Sequence, residues 1–246
     1  MSVTQATEPD GPEASSTRQA QLGIPGVLYR IARALVHAVN RVYWRVSVVG
    51  PPVPAEGPVI LAPVHRSFLD FFVVSEATRR KVFYMTKDDM WRSPALGRII
   101  EALGGFPVNR DGADRLALDR AQAVLERGDV LIMFPEGTRR SGPAVEDLHE
   151  GAAFLAARTG ALVVPIGIGG SDRAMPKGSK VVRPVTIHLA VGEAMQPPER
   201  SAQGRVPRTK VHAFTERLAA ELQRLYDEAR RAAGDLGPFP SSGAGG

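Results

Sequence analysis

In Pro63-Val64-His65-Arg66-Ser67-Phe68-Leu69-Asp70, a histidine and an aspartate five positions apart form the pair in this chain best suited to moving a proton. Imidazole titrates near neutral pH, and a carboxylate partner fixes its tautomer and stabilises the imidazolium that forms. The segment follows an apolar run and opens a helical pattern, so His65 is expected on a strand-to-helix loop with Asp70 one turn inside the helix, within reach of a ring nitrogen. A general base held this way contributes roughly 10²–10⁴ in rate. The same residues also fit a capping box, Ser67 with Asp70 in place of Glu, which would leave His65 a loop residue without a task.

Two further segments carry groups suited to an anion. Gly104-Gly105-Phe106-Pro107-Val108-Asn109-Arg110 is a glycine-led strand ending in an arginine, at the sheet edge where α/β proteins bind ligands. Phe134-Pro135-Glu136-Gly137-Thr138-Arg139-Arg140 follows an apolar strand, and its glycine lets backbone amides approach an anion closely. Arg110 and Arg139 could close on one phosphate, since a guanidinium offers a planar fork of donors. Taken singly, each arginine reads as a surface charge and Glu136 as a helix or turn partner. Val163-Val164-Pro165-Ile166-Gly167 carries no ionisable group and reads as packing or an apolar wall.

Placing these segments requires a single α/β domain. The chain has 246 residues, 43% of them hydrophobic, enough for one sizeable core. Between Pro51 and Gly192, β-rich runs alternate with helical patterns, which predicts a mostly parallel central sheet flanked by helices. The expected strands are Val59–Ala62, Val82–Thr86, Gly105–Val108, Val130–Phe134, Leu162–Ile168 and Val185–Val191. Helices are expected from Asp114, as N-cap, to Arg127 with Gly128 as the stop, from His149 to Arg158 ended by Gly160, and from Lys210 to Ala233. Residues 1–22 and 234–246 read as disordered tails, with 51–233 as the main domain.

Residues 24–50 contain no Asp or Glu, and Arg30, Arg33, His37, Asn40, Arg41 and Arg45 recur at helical spacing among Val27, Leu28, Ile31, Leu35, Val39 and Val42. Residues 23–50 therefore read as a basic amphipathic helix, either lying at a membrane surface with its arginines on anionic lipid or packed on the domain with a solvated basic edge. A docked helix that still exposes an apolar strip satisfies both. No run of eighteen apolar residues occurs, so a transmembrane helix of ordinary length is not expected, and residence on the cytoplasmic side is the default.

The absence of cysteine excludes disulfides and a cysteine nucleophile. The five histidines include no His-x3-His pair, so no metal site is expected. A net charge of +5 suits an anionic partner, but aromatic content of 6% offers few stacking platforms, which argues against nucleic acid. A Ser-His-Asp hydrolase lacks its Gly-x-Ser-x-Gly elbow, with Ser67 an unusual nucleophile, and Gly-x4-Gly-Lys-Ser/Thr is missing too.

Taken in order, His-x4-Asp, Gly-x-x-Pro-x-x-Arg, Glu-Gly-Thr-Arg and Val-Pro-Ile resemble the glycerophospholipid acyltransferase family typified by 1-acylglycerol-3-phosphate acyltransferase, over about Pro58 to Gly192. The resemblance implies that a fatty acyl group passes from acyl-CoA or acyl carrier protein, as donor substrate and with no further cofactor, to the free hydroxyl of a lysophospholipid in phospholipid biosynthesis. It implies that His65 deprotonates that hydroxyl with Asp70 in support, and that Arg110, Glu136, Gly137, Thr138 and Arg139 are substrate-binding residues that shape the pocket for the acceptor's phosphate. It also implies a peripheral position on the cytoplasmic face of the cell membrane. The alternatives are a non-catalytic protein binding anionic lipid and a lipid hydrolase. The sequence departs from the family pattern at Val64, where Asn is usual, at Pro107, where many members have an aromatic residue, and at Leu148-His149-Glu150, where a basic residue is common.

Overall fold

A computed structural model of the chain describes residues 26–87, 97–98, 100–101, 103–108, 115–179, 181–201 and 204–235. Seven strands form one sheet in the order β1-β7-β6-β2-β5-β3-β4. They are β1 (Ser47–Val49), β2 (Val59–Pro63), β3 (Val82–Lys87), β4 (Gly105–Val108), β5 (Val130–Ile132), β6 (Leu162–Gly169) and β7 (His188–Val191). Every pairing is parallel except β6 with β7. The helices are α1 (Gly26–Val42), α2 (Asp70–Val74), α3 (Arg115–Glu126), α4 (Gly151–Thr159), α5 (Ser171–Ala174) and α6 (Arg208–Ala232). This is the mostly parallel, helix-flanked sheet expected from the alternation of β and α patterns.

β2 lies at the centre, bonded to β5 on one side and β6 on the other. All five of its residues are buried, which is why its sequence is a continuous apolar run with no polar alternation. α6 packs on β6 at close range: a Cβ on Gly167 would meet the Leu225 carbonyl oxygen at 2.2 Å, and one on Gly169 the Ala229 oxygen at 2.2 Å. Two glycines thus let a helix backbone settle onto the strand, and they bring Tyr226 toward the end of β2.

Several boundaries move. β5 stops at Ile132, before the turn that Pro135 helps to form, and β7 begins only at His188 because residues 181–187 run outside the ladder. α4 starts at Gly151 and ends at Gly160 in the left-handed conformation, φ 73°, as a C-terminal glycine should. Asp114, expected as the N-cap of α3, lies outside the described residues, as do residues 1–25 and 236–246.

The stretch 23–50 is not one helix. α1 ends at Val42, Arg45 turns the chain with φ 45°, and Ser47–Val49 becomes an edge strand parallel to β7. The three valines of Val46-Ser47-Val48-Val49, β-branched, favour extended backbone, and the open edge of β7 supplies the hydrogen-bond partners. The sheet therefore begins before residue 51.

α1 is docked by its polar residues. Arg33 donates to the carbonyls of Arg80 (2.7 Å) and Thr78 (2.5 Å), His37 Nδ1 meets Glu76 Oε1 at 2.6 Å, and buried Asn40 donates to the Phe72 carbonyl (3.1 Å) and Glu76 (2.8 Å). Val27, Ile31, Leu35 and Val42, at helical spacing, stay exposed. Among the described residues no helix is long and apolar enough to cross a membrane.

Candidate active site

β2 delivers the chain to its carboxyl end, where the Val64 amide still bonds the Ile166 carbonyl at 3.1 Å, and the next residue is His65. Asp70, fully buried, is the first residue of α2. Its Oδ2 lies 3.0 Å from His65 Nδ1 and accepts the backbone N–H groups of Arg66 and Ser67, both at 2.7 Å. The catalytic-pair and capping readings of Asp70 are thus met by the same oxygen: it caps the loop and engages the imidazole. Ser67 Oγ accepts the Leu69 N–H at 3.3 Å and donates to the Met175 carbonyl at 2.9 Å. Buried and committed in this way, Ser67 makes a poor nucleophile.

With Nδ1 donating to Asp70, Nε2 is left as the acceptor nitrogen, and it makes no hydrogen bond to another described residue. The ring stacks on Phe134 (centroids 3.9 Å apart, 28° between planes) and meets Phe71 edge-on at 5.5 Å. Phe71 in turn lines a narrow, mostly apolar cavity of about 20 Å³ with Phe72, Tyr84, Val36 and Leu103. The imidazole is fixed at Nδ1 by Asp70 and packed against Phe134 and Phe71, which also touch each other (centroids 4.7 Å apart).

Glu136 requires a correction. It is 0% exposed, its Oε2 accepts the His65 N–H at 2.7 Å, and both its oxygens take Arg66 Nη1, at 2.6 and 2.7 Å. A carboxylate buried behind the histidine, with both oxygens engaged, is not a ligand for a phosphate; it holds the loop. Adjacency in sequence to Gly137 and Arg139 suggested otherwise, but the backbone turn after Phe134 sends its side chain inward, with the Gly137 amide donating back to the Phe134 carbonyl (3.1 Å).

Arg66 was not singled out from the sequence. It is 2% exposed and also donates to the carbonyls of His65 (3.1 Å) and Ala144 (2.9 Å) and, through Nε, to Tyr226 Oη (3.2 Å). Burial by itself would lower its pKa, but the Glu136 carboxylate and Tyr226 more than offset that and hold the guanidinium above its usual range. Burial pushes the Tyr226 phenol up to about 12, with Arg66 pulling the other way, so it stays a neutral hydroxyl that accepts from Arg66 and faces the Gly142 carbonyl at 3.4 Å. The one sequence signal for Arg66 was a charged residue next to His65, just past an apolar strand. Nothing local could have pointed to Tyr226, 160 residues away.

The loop Gly137-Thr138-Arg139 runs beside the histidine, pinned by the Arg140 amide to the His65 carbonyl at 2.9 Å. Gly137, with φ 66°, and Thr138 are exposed, and half-buried Arg139 makes no ion pair with another described residue. The His149 ring fills the space above Gly137, where a Cβ would come within 2.6 Å of Cδ2 and 2.7 Å of Nε2, so a larger residue at 137 would collide with it. Arg110 lies outside the described residues. Pro165 is in the buried centre of β6, consistent with a packing role. No group of three or more His, Cys, Asp or Glu among the described residues could hold a metal ion.

An open-edged α/β sheet carries a His-Asp pair at the end of its central strand, and residues 45–169 match the model of the Acyltransferase family. The chain belongs to that family, as the order of its four motifs implied. It is similar to 1-acyl-sn-glycerol-3-phosphate acyltransferases from Chlamydomonas reinhardtii (29% identity over 165 residues, 65% of this chain and 49% of the relative), Arabidopsis thaliana (LPAT1, chloroplastic; 30% over 142 residues, 56% and 40%) and Bacillus subtilis (24% over 180 residues, 72% and 85%). The chain spans about half or less of the first two. Its fold is that of the 1-acyl-sn-glycerophosphate acyltransferase PlsC from Thermotoga maritima (TM-score 0.60, 22% identity, 86% of this chain and 88% of that one).

Proposed function

We propose that this chain moves a fatty acyl group from acyl-CoA or acyl carrier protein to the free hydroxyl of 1-acyl-sn-glycerol 3-phosphate or a related lysophospholipid, in phospholipid biosynthesis. The observation that carries this reading is the His65–Asp70 pair at 3.0 Å, which leaves Nε2 as the acceptor nitrogen. Nε2 takes the proton of the acceptor hydroxyl as its oxygen attacks the thioester carbonyl. A C–O bond forms, the C–S bond breaks, and the imidazolium returns the proton to the leaving thiolate. Asp70 stabilises the imidazolium between these steps, and the aromatic walls of Phe134 and Phe71 suit an acyl chain. Gly137, Thr138 and Arg139, joined by Arg110, receive the acceptor's phosphate. The exposed apolar strip of α1 rests in the cytoplasmic face of the membrane, which supplies the lipid acceptor.

The test is to incubate the purified protein with labelled acyl donor and a panel of lysophosphatidate, glycerol 3-phosphate and lysophospholipids, and to identify the lipid products. One acylated phospholipid should dominate, and His65→Ala should lower turnover by roughly 10²–10⁴ with the far-UV spectrum unchanged. Release of free fatty acid without an acceptor product would identify a hydrolase. A variant keeping more than about a tenth of the activity would remove His65 as the base.

A further inference from the structure

Two acid-free stretches of the chain meet on this molecule. Residues 24–50 hold no Asp or Glu, and neither do residues 173–192. They are joined along their length: Tyr43 Oη donates to the Val182 carbonyl (3.2 Å), Trp44 Nε1 to the Arg183 carbonyl (3.2 Å), Arg45 to Thr186 Oγ1 (3.3 and 3.1 Å), and β1 then pairs with β7 from Ser47 opposite His188. In the second stretch Val181 and Val182 are exposed, at 62% and 38%, and so are Tyr43, bonded to Val182, at 39%, and the preceding Val42 at 77%. Lys177, Arg183 and Arg41, in the same two stretches, are exposed as well. The loop is tied down, since the Arg183 amide bonds the Ala174 carbonyl at 2.8 Å and the Val181 amide bonds Ser179 Oγ at 3.0 Å.

We propose that the loop between α5 and β7 is a second bilayer contact, with Val181 and Val182 entering the headgroup region beside the end of α1 and Lys177 and Arg183 meeting anionic headgroups. This rests on the membrane role proposed for α1. Exposed apolar side chains on two stretches that carry cations and no carboxylate fit a surface of uniform negative charge, whereas a protein partner would present both signs. One helix on a bilayer leaves the domain able to roll about the helix axis; a second contact removes that freedom. The same loop begins at Met175, whose carbonyl accepts the Ser67 hydroxyl of the His65 loop at 2.9 Å, so the contact fixes the height of the site above the lipid.

The chain has no cysteine, so a single introduced thiol can carry a polarity-sensitive fluorophore without background labelling. Val181→Cys, Leu35→Cys and Phe154→Cys, each in the full chain, are labelled and titrated with vesicles of phosphatidylglycerol and phosphatidylcholine. Emission at positions 181 and 35 should shift to the blue and be quenched by a bilayer-embedded quencher, while position 154, exposed on α4, should not respond. In a sedimentation assay, Val181→Asp/Val182→Asp should lower partitioning about tenfold or more, and Lys177→Glu and Arg183→Glu about fivefold each on anionic vesicles, an effect that fades with salt. A response at 35 with none at 181 overturns this second contact and leaves the α1 reading standing. Silence at both positions overturns both, and equal responses at all three mark non-specific adsorption, which also overturns the second contact.

Discussion

Two places in this molecule turn polar side chains inward, to opposite effect. At the end of β2, Arg66, Glu136 and Asp70 are buried, and the result is a histidine held at its backbone N–H and C=O and at ring Nδ1. On α1, Arg33, His37 and Asn40 are turned inward to bond carbonyls and Glu76, and the result is an apolar strip left facing out. Buried charge is costly unless paired. In the first case the cost secures the placement of one nitrogen; in the second it frees a hydrophobic surface for something outside the chain. Amphipathicity alone does not say which face of a helix is the buried one.

The largest effect should come from breaking the central pair. Glu136→Ala leaves Arg66 buried without its carboxylate, and stability should drop by about 3–5 kcal/mol in chemical denaturation. A loss below 1 kcal/mol would mean that Arg66 finds water and that the network is not rigid.

A smaller effect is expected from Tyr226→Phe, which removes one hydrogen bond to a charged group and should cost about 1.5–3 kcal/mol. Because Tyr226 reaches His65 only through Arg66 and Glu136, kcat should fall severalfold with the lysophospholipid KM unchanged. An altered KM with an unaltered kcat would put α6 at the substrate instead of behind the base.

The smallest effect sharpens the contrast from the other side. Leu35→Ser, in the exposed strip of α1, should leave unfolding free energy within about 0.5 kcal/mol of the parent, even though a buried leucine truncated in the same way would cost several times more. A large loss would show that the strip is packed against this chain and not free to meet a bilayer.

Much of this protein is legible in its residues alone. The apolar runs that became β2, β3, β4 and β6, the glycine stop of α4 and the long periodic helix α6 follow from backbone and burial preferences that act locally. The order of His-x4-Asp, Glu-Gly-Thr-Arg and Val-Pro-Ile identified the family, and the spacing of His65 and Asp70 foretold their contact because five residues around one turn leave few conformations. Tertiary structure alone decided where Glu136 points, since a side chain beside an anion-binding loop can face in or out and Arg66, on the loop after β2, together with the His65 N–H selects in. It alone recruited Tyr226, by packing α6 on the glycines of β6, and turned Ser47–Val49 from the tail of a helix into a strand by offering the edge of β7. It also chose the polar face of α1 for docking, because that choice depends on carbonyls and a carboxylate that other segments place opposite the helix.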